Sequence, residues 1–118
     1  MFIWNEERFA FNIMDAEMLK KFNDTSKEMW NEREEYEKKN ATTDTIGPEG
    51  VAYESEVISK FFDKLFGNGA SDKMFTSKHD LSERTKAVKK LYKIKNAQLS
   101  THDKTLNDIA EKESIFQQ

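Results

Sequence analysis

The residues best suited to chemistry in this 118-residue chain are two His-Asp pairs, a run of glutamates, a glycine turn and a stripe of lysines. His79-Asp80 and His102-Asp103 contain both histidines of the chain. Such pairs invite comparison with metal-dependent phosphohydrolases, but those sites need several further His and Asp ligands, and no third histidine exists to join them. Surface or capping roles are the simpler reading. Glu28, Glu32 and Glu35 have a helical spacing that could bring carboxylates to a metal. A buried di-iron bundle, however, takes Glu-x-x-His pairs on its core side, whereas these glutamates fall on the polar side with no histidine. Gly67-Asn68-Gly69 lacks the Gly-Lys-Ser/Thr ending of a phosphate loop and follows a helical pattern instead of a strand. Cysteine is absent, which excludes disulfides, thiolate nucleophiles and Cys-ligated zinc. The sequence thus predicts no catalytic, metal-binding or cofactor-binding residues, and a protein that is not an enzyme.

The lysine stripe points instead to a partner. Lys86, Lys89, Lys90 and Lys93 fall at i, i+3, i+4 and i+7, opposite Leu81, Val88 and Leu91. Such a face suits phosphates, an acidic protein or an anionic membrane surface, against the plain alternative of a solvated lysine face. A net charge of −3 and only three arginines, Arg8, Arg33 and Arg84, argue against base-specific nucleic-acid binding, which favours arginine. Charge is also uneven along the chain: residues 1–70 carry −6 and residues 71–118 carry +3. Either the halves attract each other within a monomer, or they meet between copies or with a partner.

These groups require a scaffold, and the composition predicts one domain over residues 1–118. A chain of this length buries about 65 to 70% of its unfolded surface, enough for one core, and nine Phe, two Trp and five Met supply it. Met1-Phe2-Ile3-Trp4-Asn5-Glu6-Glu7 does not read as a signal peptide. No run approaches the roughly 20 apolar residues of a membrane span; no membrane partner is expected, and without a secretion signal the Asn40-Ala41-Thr42 sequon reads as coincidence.

The expected fold is mainly α with a small N-terminal β-hairpin, an α+β domain of three to four helices around one core. Residues 1–14 alternate as a hairpin turning at Asn5-Glu6-Glu7. Asp15 is placed to cap a helix over 15–39, with Met14 and Leu19 as a hydrophobic staple. Its stripe holds Met18, Leu19, Phe22, Ser26, Met29, Trp30, Arg33 and Tyr36. After a loop at 40–50, Pro48 opens a helix over 49–66 whose stripe is Val51, Glu54, Ile58, Phe61, Phe62 and Leu65. Gly67 suits the left-handed position that ends it, and a short turn of helix follows near 71–75. Asp80 has capping-box spacing to Glu83, ahead of a helix over 81–98. Residues 100–118 form a weak fourth helix through Leu106, Ile109, Ala110 and Phe116. The predicted core comprises Phe9, Phe11, Phe22, Trp30, Phe61, Phe62, Leu65, Val88 and Leu91.

The densest signal is the turn motif of Phe61, Phe62, Phe66, Gly67, Gly69 and Phe75, where apolar groups crowd both sides of a tight turn. Together with Phe11-Asn12-Ile13-Met14-Asp15-Ala16-Glu17 and Lys73-Met74-Phe75, this Phe-Phe-Asp-x-x-Phe-Gly-x-Gly segment resembles a family of small tail-region proteins of phages and prophages of Gram-positive bacteria. The match runs in order over most of residues 1–99. The resemblance implies a tail assembly chaperone-like protein that covers a segment of a phage tail protein, such as the tape-measure or tail-tube protein, in the host cytoplasm during assembly. It supplies no catalytic residues. The alternative is a small phage regulatory protein or host-directed inhibitor acting through protein binding, with the lysine helix as its contact face. A homodimer is expected on either reading, through the open hairpin edge or the complementary charges.

Overall fold

Phe2-Ile3-Trp4 and Glu7-Arg8-Phe9 pair antiparallel as β1 (Phe2–Trp4) and β2 (Glu7–Phe9), with Phe2 opposite Phe9 and Trp4 opposite Glu7. The computed structural model describes residues 1–40 and 46–116, with side chains to residue 113 in the last helix. It continues with α1 (Ala16–Lys39), α2 (Pro48–Phe66), α3 (Ala70–Met74) and α4 (Leu81–Phe116). The fold is therefore mainly helical with a small N-terminal hairpin. Of the loop read at 40–50, residues 41–45 lie outside the described residues.

Asn5 (φ 50°) and Glu6 (φ 68°) are both left-handed, which gives a two-residue turn whose twist matches the strands it joins. Asn5 Nδ2 donates to the Met74 carbonyl at 2.7 Å and so ties that turn to the far end of the fold. The alternation of residues 9–14 predicts strand to the end of this segment, but β2 stops at Phe9. Phe11 and Ile13 are still buried. Their backbone meets a helix, not a third strand: the Ile13 N–H donates to Gln98 Oε1 at 2.8 Å, and Gln98 Nε2 donates to the Phe11 carbonyl at 2.9 Å.

Asp15 caps α1 as its position predicts, accepting from the Met18 N–H at 3.1 Å. The helix buries Phe22, Thr25 and Met29. Trp30, expected in the core, is 43% exposed. It sits about 100° around the helix from Met29, at the border of the stripe. Glu28 and Glu32, read as a polar face, instead bridge α1 to α2: Lys60 Nζ lies 2.7 Å from Glu32 and 3.3 Å from Glu28, and Lys64 also pairs with Glu28. The hydrogen bonds from Lys64 and Lys60 hold the Glu28 carboxyl below its ordinary range, and the one to Glu32 raises Lys60. Partly exposed pairs of this kind contribute about 0 to 1 kcal/mol each, so their main effect is on the register of the two helices.

Along α2, Val57, Phe61, Phe62 and Leu65 are buried. Phe62 stacks on Phe2 (5.8 Å between centroids) and meets Phe75 edge-on at 5.8 Å, while Phe66 lies between Phe2 (5.6 Å) and Phe9 (4.7 Å). The hairpin is thus a lid on the end of α2. Its backbone is held as well, since Lys90 Nζ donates to the Ile3 carbonyl at 2.6 Å and lies 5.8 Å from the centre of the Trp4 ring.

The turn after α2 needs its glycines for different reasons. Gly69 is left-handed (φ 89°, ψ −5°). Gly67, expected in that conformation, has positive φ but ψ 155°, a region open essentially to glycine alone. Asp63 completes the turn by accepting from the Ser71 N–H at 2.8 Å, which caps α3. Gly67→Ala should therefore lower stability by about 1 to 3 kcal/mol and Gly69→Ala by about 1 kcal/mol. Urea melts of the two variants check this, and a raised midpoint for both would contradict it.

Asp80 caps α4 by accepting from the Glu83 N–H at 3.2 Å, although Glu83 turns its carboxylate to Thr76 instead of closing the box. The sequence reading divides this region into helices over 81–98 and 100–118, whereas α4 runs unbroken from Leu81 to Phe116. No glycine or proline follows Gly69. Ser100 and Thr101 are only mildly unfavourable in a helix, and the packed first half removes the nucleation cost for the second.

Candidate functional site

Between α1, α2 and α4 lies an apolar cleft of about 130 Å³, lined by Met29, Trp30 and Arg33, by Glu54, Val57 and Ile58, and by Leu81, Thr85 and Val88. Helical spacing explains its walls: Met29, Val57 and Val88 are core residues at the floor, and Trp30 borders the α1 stripe. The indole N–H of Trp30 donates to the Tyr92 hydroxyl at 2.9 Å, and that hydroxyl donates to Ser26 Oγ at 3.3 Å. With its polar atom satisfied from within, the ring is fixed and presents an apolar face outward. Arg33 Nε bonds Glu54 Oε1 at 3.1 Å, and its guanidinium carbon lies 5.6 Å from the Trp30 ring centre. Glu54 is buried while Arg33 is half-exposed, and the same Nε also lies 3.3 Å from Glu37, so the arginine sits at the rim between two carboxylates with its Nη groups unpaired among the described residues. A rigid Trp, an Arg and an aliphatic floor form the combination that dominates protein-binding hot spots.

Sequence reasoning put Trp30 in the core and passed over this cleft. The signal was present: Arg33 and Glu54 are charged residues inside the apolar stripes of two adjacent helices, the pattern of a buried ion pair beside an opening.

The lysine stripe divides. Lys86, Lys89 and Lys93 are exposed and have no ion-pair partner among the described residues. Lys90 instead clamps the hairpin. His79 and His102 are far apart in role: His79 Nε2 lies 3.1 Å from Glu56, and His102 is exposed beyond the packed part of α4. Among the described residues, no group of three or more His, Asp and Glu side chains is placed to hold one metal ion. None of their helices is long and apolar enough to cross a membrane. Of the turn motif, Phe61, Phe62 and Phe75 are buried and Phe66 is half-buried, so these aromatics build the scaffold and leave the cleft to other residues.

Arg84 is the most buried cation, at 4% exposure. It donates to Ser59 Oγ (2.9 Å), the Ser77 carbonyl (2.9 Å) and the Asp80 carbonyl (3.1 Å), and packs 4.5 Å from the centre of Phe75. Burial pushes its guanidinium below its usual value. These bonds stitch the segment between α3 and α4 onto α2, at the edge of an open concavity of mixed charge that also holds Lys60, Asp63, Asp72 and Lys78.

The second half of α4 leaves the body. The molecule extends 66 × 31 × 21 Å, and a 36-residue helix is about 54 Å long. Residues 101–113 are all exposed, including Leu106 (53%) and Ile109 (51%).

A model described as a family of unknown function (DUF6673) matches residues 5–114. The matched span takes in residues 40–50 and most of α4. No curated protein and no solved structure matches the chain.

Proposed function

This chain belongs to the family of unknown function DUF6673, and we propose from its own residues that it is a non-enzymatic binding protein acting in phage or prophage tail assembly. On this reading it holds an apolar segment of a tail protein, the tape-measure or tail-tube protein, in the host cytoplasm before polymerisation. The observation that carries the proposal is the fixed, half-exposed Trp30 over an aliphatic floor, with Arg33 and Glu54 supplying a polar rim. A cleft of this chemistry takes one or two large apolar side chains from a helix or extended segment, with a carboxylate of the partner reaching Arg33. The resemblance of Phe61-Phe62-Asp63 to Gly69 to small tail-region proteins supports the choice of partner.

A second reading rests on Lys86, Lys89 and Lys93, which are free to meet an acidic host protein as a regulatory inhibitor would. Purification of the tagged chain from cells in which its phage or prophage is assembling separates the two. The cleft reading predicts a tail protein recovered with the wild type and with Lys86→Ala/Lys89→Ala/Lys93→Ala, and lost with Trp30→Ala. Truncating such a hot-spot Trp costs about 2 kcal/mol or more of binding, roughly 30-fold in affinity. Recovery of a host protein that depends on the lysines and not on Trp30 would contradict it.

A further inference from the structure

We infer that the projecting half of α4 pairs antiparallel with the same segment of a second copy of this chain. The apolar positions of the arm repeat the core stripe. Leu106 lies 18 residues beyond Val88, and Ile109 lies 18 beyond Leu91, and 18 residues make five turns, so both arm residues continue the side of the helix that the body buries. Over the first half of α4, α1 and α2 cover that side. Beyond Leu99, itself exposed, Thr101 and His102 edge an open groove against Met1, Phe11, Asn12 and Met14, and from Asp103 to Glu113 every described side chain is exposed. Pairing needs no separate helix nucleation, because the packed half of α4 already supplies the nucleus.

The choice of a second copy, and of its direction, comes from charge. His102, Leu106, Ile109 and Glu113 follow spacings of four, three and four, the positions that meet across a two-stranded coiled coil. Side by side in the same direction, each would face itself, and Glu113 would lie against Glu113 of the other copy. Antiparallel about a two-fold axis between residues 107 and 108, Leu106 of one copy packs on Ile109 of the other, and His102 faces Glu113. Only the antiparallel register removes the like-charge contact and supplies each glutamate with a donor. The hairpin offers less to a second copy, since its apolar face packs on Phe62 and Phe66 and Lys90 occupies the Ile3 carbonyl of β1. The two Trp30 clefts stay open in such a dimer. The inference stands on the arm alone and survives failure of the proposed role.

Sedimentation equilibrium from low to high micromolar concentration tests the pairing. The wild type should move from the 13.8 kDa monomer to a dimer. Leu106→Glu, at an exposed position, should stay monomeric, with the helical spectrum and melting midpoint that the wild type shows at concentrations where it too is a monomer. His102→Glu should weaken the dimer on the order of tenfold by setting carboxylates against each other, and His102→Glu/Glu113→His should restore it. Parallel pairing would show the same rescue, so Glu113→His alone fixes the direction: it should weaken antiparallel pairing by setting histidines against each other, whereas in a parallel pair it would remove the facing glutamates and strengthen the dimer, a result that would overturn the inference. A monomer at every concentration, a dimer unaffected by Leu106→Glu, or an exchange variant as weak as His102→Glu would overturn the inference. A monomer would leave the arm to a different protein.

Discussion

Phe62→Ala is expected to lower the unfolding free energy by about 3 to 5 kcal/mol, the range for removing a buried phenylalanine without collapse of the site. Phe62 is fully buried where three parts of the chain meet: Phe2 of β1, Phe61 and Phe66 of α2, and Phe75 after α3. These rings are anchored by separate elements, so they cannot close the gap with a small shift. Domains of this size are stable by about 5 to 15 kcal/mol, so the variant should melt well below the wild type. Urea unfolding followed by circular dichroism measures the loss. A change under 1 kcal/mol would mean that the junction is not the centre of the core.

Phe2→Ala should cost nearly as much, about 3 kcal/mol or more, although a two-stranded hairpin is marginal on its own. The size of the effect follows from position. Phe2 is fully buried and stacked on both Phe62 and Phe66, so its loss opens the core and frees the lid together. Amide exchange should show Ile3 and Trp4 losing protection in the variant while α1 keeps its own. If the hairpin stayed protected and stability fell by less than 1 kcal/mol, the strands would be an appendage instead of part of the core.

The parts of the fold that local chemistry fixes were readable from residues. Asp15 and Asp80 cap the helices they precede, Pro48 opens α2, and positive φ at Gly67 ends it, because each of these acts on backbone groups within a few positions. What could not be read depends on neighbours distant in sequence. Phe11 and Ile13 alternate like a strand, yet the group that meets their backbone is Gln98. Glu28 and Glu32 look like a solvated face until Lys60 and Lys64 are placed beside them. Lys90 belongs to the basic stripe by spacing and to the hairpin by contact. The cleft was hidden for the same reason: helical periodicity places Trp30 near the core but not on which side of its border, and the Tyr92 hydroxyl 62 positions away decides that.

The proposed role in tail assembly is tested most directly by the particles themselves. On that proposed role, deleting the gene from the genome that carries it, and restoring it in trans, should yield tailless heads without the protein and complete particles with it, as seen by electron microscopy. Trp30→Ala should fail to restore tails while accumulating as a folded protein, and Lys86→Ala/Lys89→Ala/Lys93→Ala should restore them. Normal tails in the absence of the gene, or full restoration by Trp30→Ala, would contradict the account.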